Sequence, residues 1–343
     1  MKKVNWGIIG LGGIAEVFSD AFDEAENAQL LAVASREPKK LDYFKDRFNL
    51  ENKFLFNNYE DLILCSEVDI VYIALPNSLH HRWIIECIKN KKNILVEKPA
   101  TLTFADTTDI KKNLNNNNLF FSEAFMYRYL PQIDLVINAI KKKEIGNLLS
   151  MEASFGVNLL TKKKFFLFNK KKKINRESRI FNKNLGGGCI FDLGCYSSSF
   201  SLLIASLLDN HNINNLKLIN IQNEIGETGV DIDSCAELLF ENGFKSIIRA
   251  SFKRNLGNKS IITGDKGSLI INDTWKGNKI IKKTDNFNEE LKLNTFKNIY
   301  THQIIKISNN IINKENKPNF PGMNLDETIL NSKILEKWTY AQK

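Results

Sequence analysis

Short apolar runs alternate with amphipathic stretches over the first 123 residues. Val4–Ile9 is apolar and closed by glycine, as a strand buried on both faces requires. Ile14–Ala25 then has helical spacing, Gln29–Ser35 is the next strand and Lys39–Phe48 the next helix. Asp69–Leu75 is an apolar strand that stops at Pro76-Asn77. Leu79–Lys89 is a helix, Asn93–Glu97 a strand ended by Pro99, Thr103–Leu114 a helix and Leu119–Glu123 a strand. This alternation predicts a doubly wound parallel sheet.

The pattern changes beyond Glu123. Leu130–Lys143 is helical, with Pro131 tolerated at its start, Leu148–Val157 is a strand and Ile190–Leu208 a helix. Leu216–Asn223, Ser234–Phe240, Ser246–Phe252 and Ser260–Thr263 follow as strands. The turn Gly264-Asp265-Lys266-Gly267 leads to Ser268–Ile271, and the helices Phe296–Ile312 and Leu325–Trp338 close the chain. Successive strands imply an antiparallel or mixed sheet with helices on one face. The expected fold is α/β, with a nucleotide-binding domain over residues 1–122 and an α+β domain over 123–343.

Gly10-x-Gly12-x-x-Ala15 follows a strand and opens a helix. Gly10 permits the tight turn, Gly12 lets backbone approach a pyrophosphate at the helix start, and Ala15 allows close packing of helix on strand. Gly13 and Ile14 belong to the same turn. The second strand ends Ala34-Ser35-Arg36, with no carboxylate at its tip although Glu37 comes next. Arg36 can pair with a 2′-phosphate and stack on adenine, so NADP is the expected cofactor and NAD the alternative.

Lys98 follows a buried strand at the carboxyl edge of the sheet, where ligands bind in such folds. Its ammonium can stabilise negative charge on a substrate oxygen. Asp192 and Tyr196 are four apart, on one face of a helix. A phenol near a lysine cation suits proton exchange with an alcohol, and Asp192 can orient the substrate or the lysine. Gly186-Gly187-Gly188, just upstream, is expected to let backbone approach a ligand closely.

The bulk properties narrow the classes. The chain has 343 residues, long for a single core. Its 43% hydrophobic and 25% charged residues are ordinary for a globular protein. No membrane span and no signal cleavage pattern is expected. Cys65, Cys87, Cys189, Cys195 and Cys235 are odd in number and unpatterned, which predicts a reducing, cytoplasmic setting. His80, His81, His211 and His302 form no ligand pattern, so no metal is expected. The net charge is +9, with lysine clusters at 141–143, 162–164 and 170–173. Without a nucleic-acid motif these runs predict solvated loops rather than a nucleic-acid surface.

Together these segments resemble the glucose–fructose oxidoreductase / myo-inositol dehydrogenase (Gfo/Idh/MocA) family over nearly the whole chain. The resemblance rests on Gly7–Ala15, Ala34–Arg36, Leu75–His80, Glu97–Pro99, Glu123–Arg128, the segment Gly186–Tyr196 and Thr263–Ser268. It implies a Rossmann domain and an open-faced, mostly antiparallel sheet that joins copies into a homodimer or homotetramer. It implies catalysis by Lys98 with Asp192, and a nicotinamide held by Gly10, Gly12, Gly13, Ile14, Ser35, Arg36, Leu75, Pro76, Asn77, His80, Glu97 and Lys98. Many members have histidine four residues after the aspartate. Tyr196 here is similar to the NADP-linked branch with dimeric dihydrodiol dehydrogenase and xylose dehydrogenase, which makes Tyr196 the general acid/base. Leu130 stands where relatives often have histidine, which implies a more apolar pocket, and Arg179 is a candidate substrate residue. The expected activity is hydride transfer between NADP and a CH–OH carbon of a sugar, polyol or related substrate. The alternatives are an NAD-linked polyol or inositol dehydrogenase and a non-catalytic dinucleotide-binding regulator.

Overall fold

The computed structural model describes residues 3–115, 117–164, 168–208, 213–285 and 287–341. His211 and the side chains of 162–170, which include most of the lysine-rich segment, lie outside the described part. The chain divides into two compact units, one of residues 1–129 with 295–329 and one of 130–294 with 330–343. Residues 295–329, placed beyond a linear boundary near Glu123 by the sequence pattern, therefore belong with the N-terminal sheet.

The first unit runs β1 (Val4–Ile9), α1 (Gly13–Ser19), β2 (Ala28–Ala34), α2 (Pro38–Phe48), β3 (Leu55–Phe56), α3 (Tyr59–Leu64), β4 (Ile70–Ile73), α4 (His80–Lys89), β5 (Asn93–Val96), α5 (Phe104–Leu114) and β6 (Phe121–Glu123). The strands form a six-stranded sheet in the order β3-β2-β1-β4-β5-β6. Every pairing is parallel. Ile8, Ile9, Val71, Tyr72, Ile73, Ile94, Leu95 and Val96 are wholly buried, which accounts for successive apolar residues in these strands. Each such large side chain contributes about 1.5–3 kcal/mol on burial. The strand order reverses between β1 and β4, and ligands of such sheets bind in the crevice that this opens.

Three features depart from the expected pattern. The helix from Ile14 ends at Ser19 and continues as 3-10 winding over Asp20–Glu24, where Phe22 packs against Trp6 and Phe18. The two-residue β3 is too short to leave a periodic signal. Helix α3 starts at an Asn58 cap whose side chain accepts the Asp61 N–H at 2.8 Å.

The second unit contains α6 (Pro131–Lys141), β7 (Leu148–Gly156), β8 (Thr161–Lys164), β9 (Phe168–Lys171), α7 (Cys195–Ala205), β10 (Leu216–Ile225), β11 (Asp231–Phe240), β12 (Lys245–Ser251), β13 (Ser260–Gly264), β14 (Gly267–Ile271), β15 (Lys279–Thr284) and β16 (Asn288–Lys292). Eight strands form one sheet in the order β10-β11-β12-β7-β13-β14-β15-β16, and β8 and β9 form a separate pair. Only β12 and β7 run parallel in the large sheet. Buried and half-exposed residues alternate along β11 and β13, so one face of the sheet carries the core. Strands β15 and β16 were missed because lysine and glutamate interrupt their apolar positions.

Every residue of α7 is buried. The stretch Lys183–Ala205, broken at Gly186–Gly188, is long and apolar enough to cross a membrane by composition, but 94% of its apolar 18-residue window is buried within the protein. Its serines bond inward: Ser201 Oγ donates to Ser197 O and lies 2.6 Å from Ser246 Oγ. Two helices end the chain, α8 (Tyr300–Ile312) and α9 (Leu325–Tyr340). Helix α8 is tied to the first unit's sheet by Trp6 Nε1, which donates to Ser308 Oγ at 3.0 Å.

Candidate active site

The glycine turn of the first unit is built for a close approach. Gly10 has φ +91°, and a Cβ there would lie 2.6 Å from Ala74 O, so no other residue fits. Gly12 and Gly13 are the reverse case: a Cβ on either would meet no heavy atom within 4 Å. Both are exposed, and Gly12 caps α1 with no side-chain bond. The start of the helix is thus open at Gly12 and Gly13, which fits a close approach by the pyrophosphate of a dinucleotide. Ala15 is wholly buried and Ile14 half-buried.

At the end of β2, Ser35 is buried and its Oγ accepts the Glu37 N–H at 3.1 Å. Arg36 is exposed, with its guanidinium 6.0 Å from the Tyr59 ring centre. The Glu37 carboxylate takes a hydrogen bond from Lys40 Nζ at 2.7 Å. Leu75 and Asn77 are buried and Pro76 half-buried at the end of β4, beside the glycine turn.

Lys98 is half-buried immediately after β5, and the bonds around it hold its backbone. Its N–H donates to Glu97 Oε2 at 3.3 Å, while the Tyr72 hydroxyl donates to Glu97 Oε1. The Lys98–Pro99 peptide is cis. His80 is wholly buried, with Nε2 2.8 Å from Leu75 O and Nδ1 2.9 Å from Pro99 O. It ties the loop after β4 to the loop that carries Lys98. Glu97 and His80, read from sequence as cofactor residues, are placed here as supports of that loop.

Glu123, not singled out from sequence as a site residue, is the third support. Its Oε1 accepts the Ala100 N–H at 2.9 Å. Burial raises its carboxyl from 4.5 to about 7, against the opposing pull of the Ala100 N–H. The folded state then holds a proton that the unfolded state releases, so stability falls as pH rises from about 4.5 to 7, on the order of 3 kcal/mol in all. Glu123→Gln keeps the acceptor without the charge. Thermal melts are expected to show it gaining on the unaltered chain between pH 5 and pH 8; an equal gap at both pH values would refute the buried-acid account.

In the second unit, Asp192 lies in a five-residue π turn, Ile190–Gly194, that runs into α7. The Cys195 N–H bonds to Ile190 O, five residues back. Asp192 and Tyr196 therefore flank a change of helix type, rather than sharing one regular helix as the spacing predicted. Arg179 Nη1 donates to Asp192 Oδ1 at 3.1 Å, which joins two of the predicted residues. Tyr196 is 6% exposed, its ring packed edge-on to Phe155 at 5.2 Å and tilted on Trp275 at 5.4 Å. Leu130 is wholly buried at the start of α6.

The triple glycine has a different cause from the one its sequence suggested. A Cβ on Gly187 would meet the carbonyl oxygens of Ile180, Arg179 and Asn182 at 2.8–2.9 Å. On Gly188, at φ +122°, it would lie 2.4 Å from Asp231 Oδ1. These glycines make room for the protein's own groups. Asp231 is buried, and its Oδ2 accepts the Ile190 N–H at 2.7 Å. Burial raises its carboxyl above the usual range, with the Ile190 N–H acting against that. No sequence signal marked it, because it sits 41 residues from its partner at the start of an ordinary strand.

Residues 4–125 match the model of an oxidoreductase family with an NAD-binding Rossmann fold, GFO_IDH_MocA. Residues 134–270 match the GFO/IDH/MocA C-terminal domain. The chain belongs to the Gfo/Idh/MocA family. As a member it is an NAD(P)-dependent oxidoreductase, as the glycine turn and Lys98 predicted. Among similar proteins is trans-1,2-dihydrobenzene-1,2-diol dehydrogenase of Xenopus tropicalis, 27% identical over 80% of this chain and 78% of that one. Another is dTDP-3,4-didehydro-2,6-dideoxy-alpha-D-glucose 3-reductase of Saccharopolyspora spinosa, 26% identical over 79% and 75%. The fold is also that of an aldose-aldose oxidoreductase from Caulobacter crescentus complexed with glycerol, with TM-score 0.84, 20% identity and coverage of 98% and 96%. A 3-ketoreductase from Actinomadura kijaniata, solved with NADP and TDP-benzene, matches with TM-score 0.80, 19% identity and coverage of 98% and 97%. Among the described residues, no three His, Cys, Asp or Glu side chains gather as metal ligands, and none of the five cysteines is in a disulfide.

Proposed function

We propose that this member of the family uses NADP to oxidise or reduce a CH–OH carbon of a sugar, polyol or related substrate. The observation that carries the cofactor choice is the exposed Arg36 at the tip of β2, with the neighbouring carboxylate of Glu37 turned to Lys40. A cation there suits a 2′-phosphate, and a carboxylate directed elsewhere leaves the ribose of NAD without its usual acceptor. The NADP in the Actinomadura reductase points the same way. The substrate class follows the relatives, which act on a dihydrodiol and a dTDP-linked sugar.

When bound, the nicotinamide supplies or accepts the hydride. Tyr196 exchanges the hydroxyl proton of the substrate at its Oη: in oxidation it takes the proton as the C–H electron pair leaves, and in reduction it returns it. Lys98 stabilises negative charge on the substrate oxygen. Asp192 orients the substrate, with Arg179 holding its carboxylate.

Arg36→Ala tests the cofactor assignment. Its affinity for NADP in a fluorescence titration is expected to fall about 10- to 100-fold, the worth of a charge-assisted bond, with little change for NAD. An unchanged ratio between the two cofactors would sink the assignment.

A further inference from the structure

We propose that Asp231 is a positioning residue for the reaction: from β11 its carboxylate pins the first turn of the helix that carries Asp192 and Tyr196. The proposal rests on the role given above to Tyr196. The helix has no local cap, since Cys189 precedes it in helical conformation with no side-chain bond. Its first N–H, on Ile190, is served from across the fold by Asp231. Two glycines make this close fit possible. Gly188 leaves the volume that Asp231 Oδ1 occupies, and its own N–H is tied to Ile180 O at 3.0 Å. Gly194 closes the π turn where a Cβ would lie 2.9 Å from the Trp338 ring.

A π turn carries one residue more than the α-helix it interrupts, and such turns collect at functional sites. Here the extra residue lies between the pinned Ile190 and Tyr196, so the Ile190 anchor sets the rotation at which Tyr196 leaves the turn. Loss of the carboxylate leaves the buried Ile190 N–H without an acceptor, a cost that rewinding of the turn relieves. Rewinding rotates Tyr196 away from its position. The Asp231 carboxylate acts through Ile190, and its effect appears as misplacement of the phenol.

The test compares Asp231→Ala, Asp231→Asn and Tyr196→Phe. Asp231→Ala is expected to lower kcat about 100-fold, the scale of a 1 Å misplacement, while NADPH binds as before. Without cofactor, amides 190–197 should exchange hydrogen faster in Asp231→Ala than in the unaltered chain. Asp231→Asn keeps an acceptor for Ile190 and should lose less on both measures. In the double variant Asp231→Ala, Tyr196→Phe the two losses should not multiply, because one acts through the other. Unaltered kcat and exchange in Asp231→Ala overturn the proposal, as do fully multiplicative losses. If Asp231→Ala fails to fold, Asp231→Ser decides, because its shorter side chain withdraws the acceptor from Ile190: kcat and exchange both at the level of the unaltered chain overturn the proposal. If Tyr196→Phe is itself fully active, the role of Tyr196 falls, and the exchange data still judge the pinning separately.

Discussion

Lys98→Ala is expected to lower kcat about 10²- to 10³-fold, the scale of losing one preorganised donor to a developing oxyanion. Affinity for NADP and thermal stability should stay near those of the unaltered chain. The loop is held by other groups: Tyr72 through Glu97, His80 through Pro99 O, and Glu123 through the Ala100 N–H. The lysine side chain is only half-buried, so its truncation removes little packing. Lys98→Arg should recover little, because a planar guanidinium differs from an ammonium in shape and hydration. Stopped-flow or steady-state kinetics with a sugar or polyol panel measure the effect, beside a cofactor titration. Near-normal turnover in Lys98→Ala would remove this residue from the chemistry.

The physical basis of that prediction was only half legible in the sequence. The strand Asn93–Glu97 before Lys98 has the apolar centre Ile94–Val96 and is bounded by proline, so its place at the carboxyl edge of a parallel sheet could be read directly. The glycine turn was equally plain, because Gly10 must adopt a positive φ and the helix must begin on Gly12 without a capping side chain. The supports around Lys98 were not legible. His80 and Glu97 are polar residues near the expected cofactor, and sequence gives no sign that their polar atoms bond to protein groups. Glu123 and Asp231 bind backbone N–H groups 23 and 41 residues away, and no spacing rule reaches that far. The triple glycine was legible as a close approach but not as an approach to Asp231 and the carbonyls of 179–182. Strands β15 and β16 escaped for a simpler reason: lysine, asparagine and glutamate erase the two-residue apolar alternation toward the edge that β16 forms.

Tyr196→Phe separates the phenol's chemistry from its packing. The ring touches Phe155 and Trp275, and phenylalanine keeps both contacts, so the fold should lose little. The hydroxyl goes, and with it the proposed proton transfer: kcat is expected to fall about 10²- to 10⁴-fold, with a smaller change in KM. Tyr196→His supplies the rescue that a structural role would not show. The resemblance of this segment to family members with histidine at the same step implies that an imidazole can take the task. Partial recovery is expected, with the pH–rate profile moved toward the imidazole range near ~6.5. Full activity in Tyr196→Phe places the proton elsewhere. A Tyr196→His protein as slow as Tyr196→Phe at every pH would mean that the hydroxyl serves by its shape or its hydrogen bond rather than by exchanging a proton.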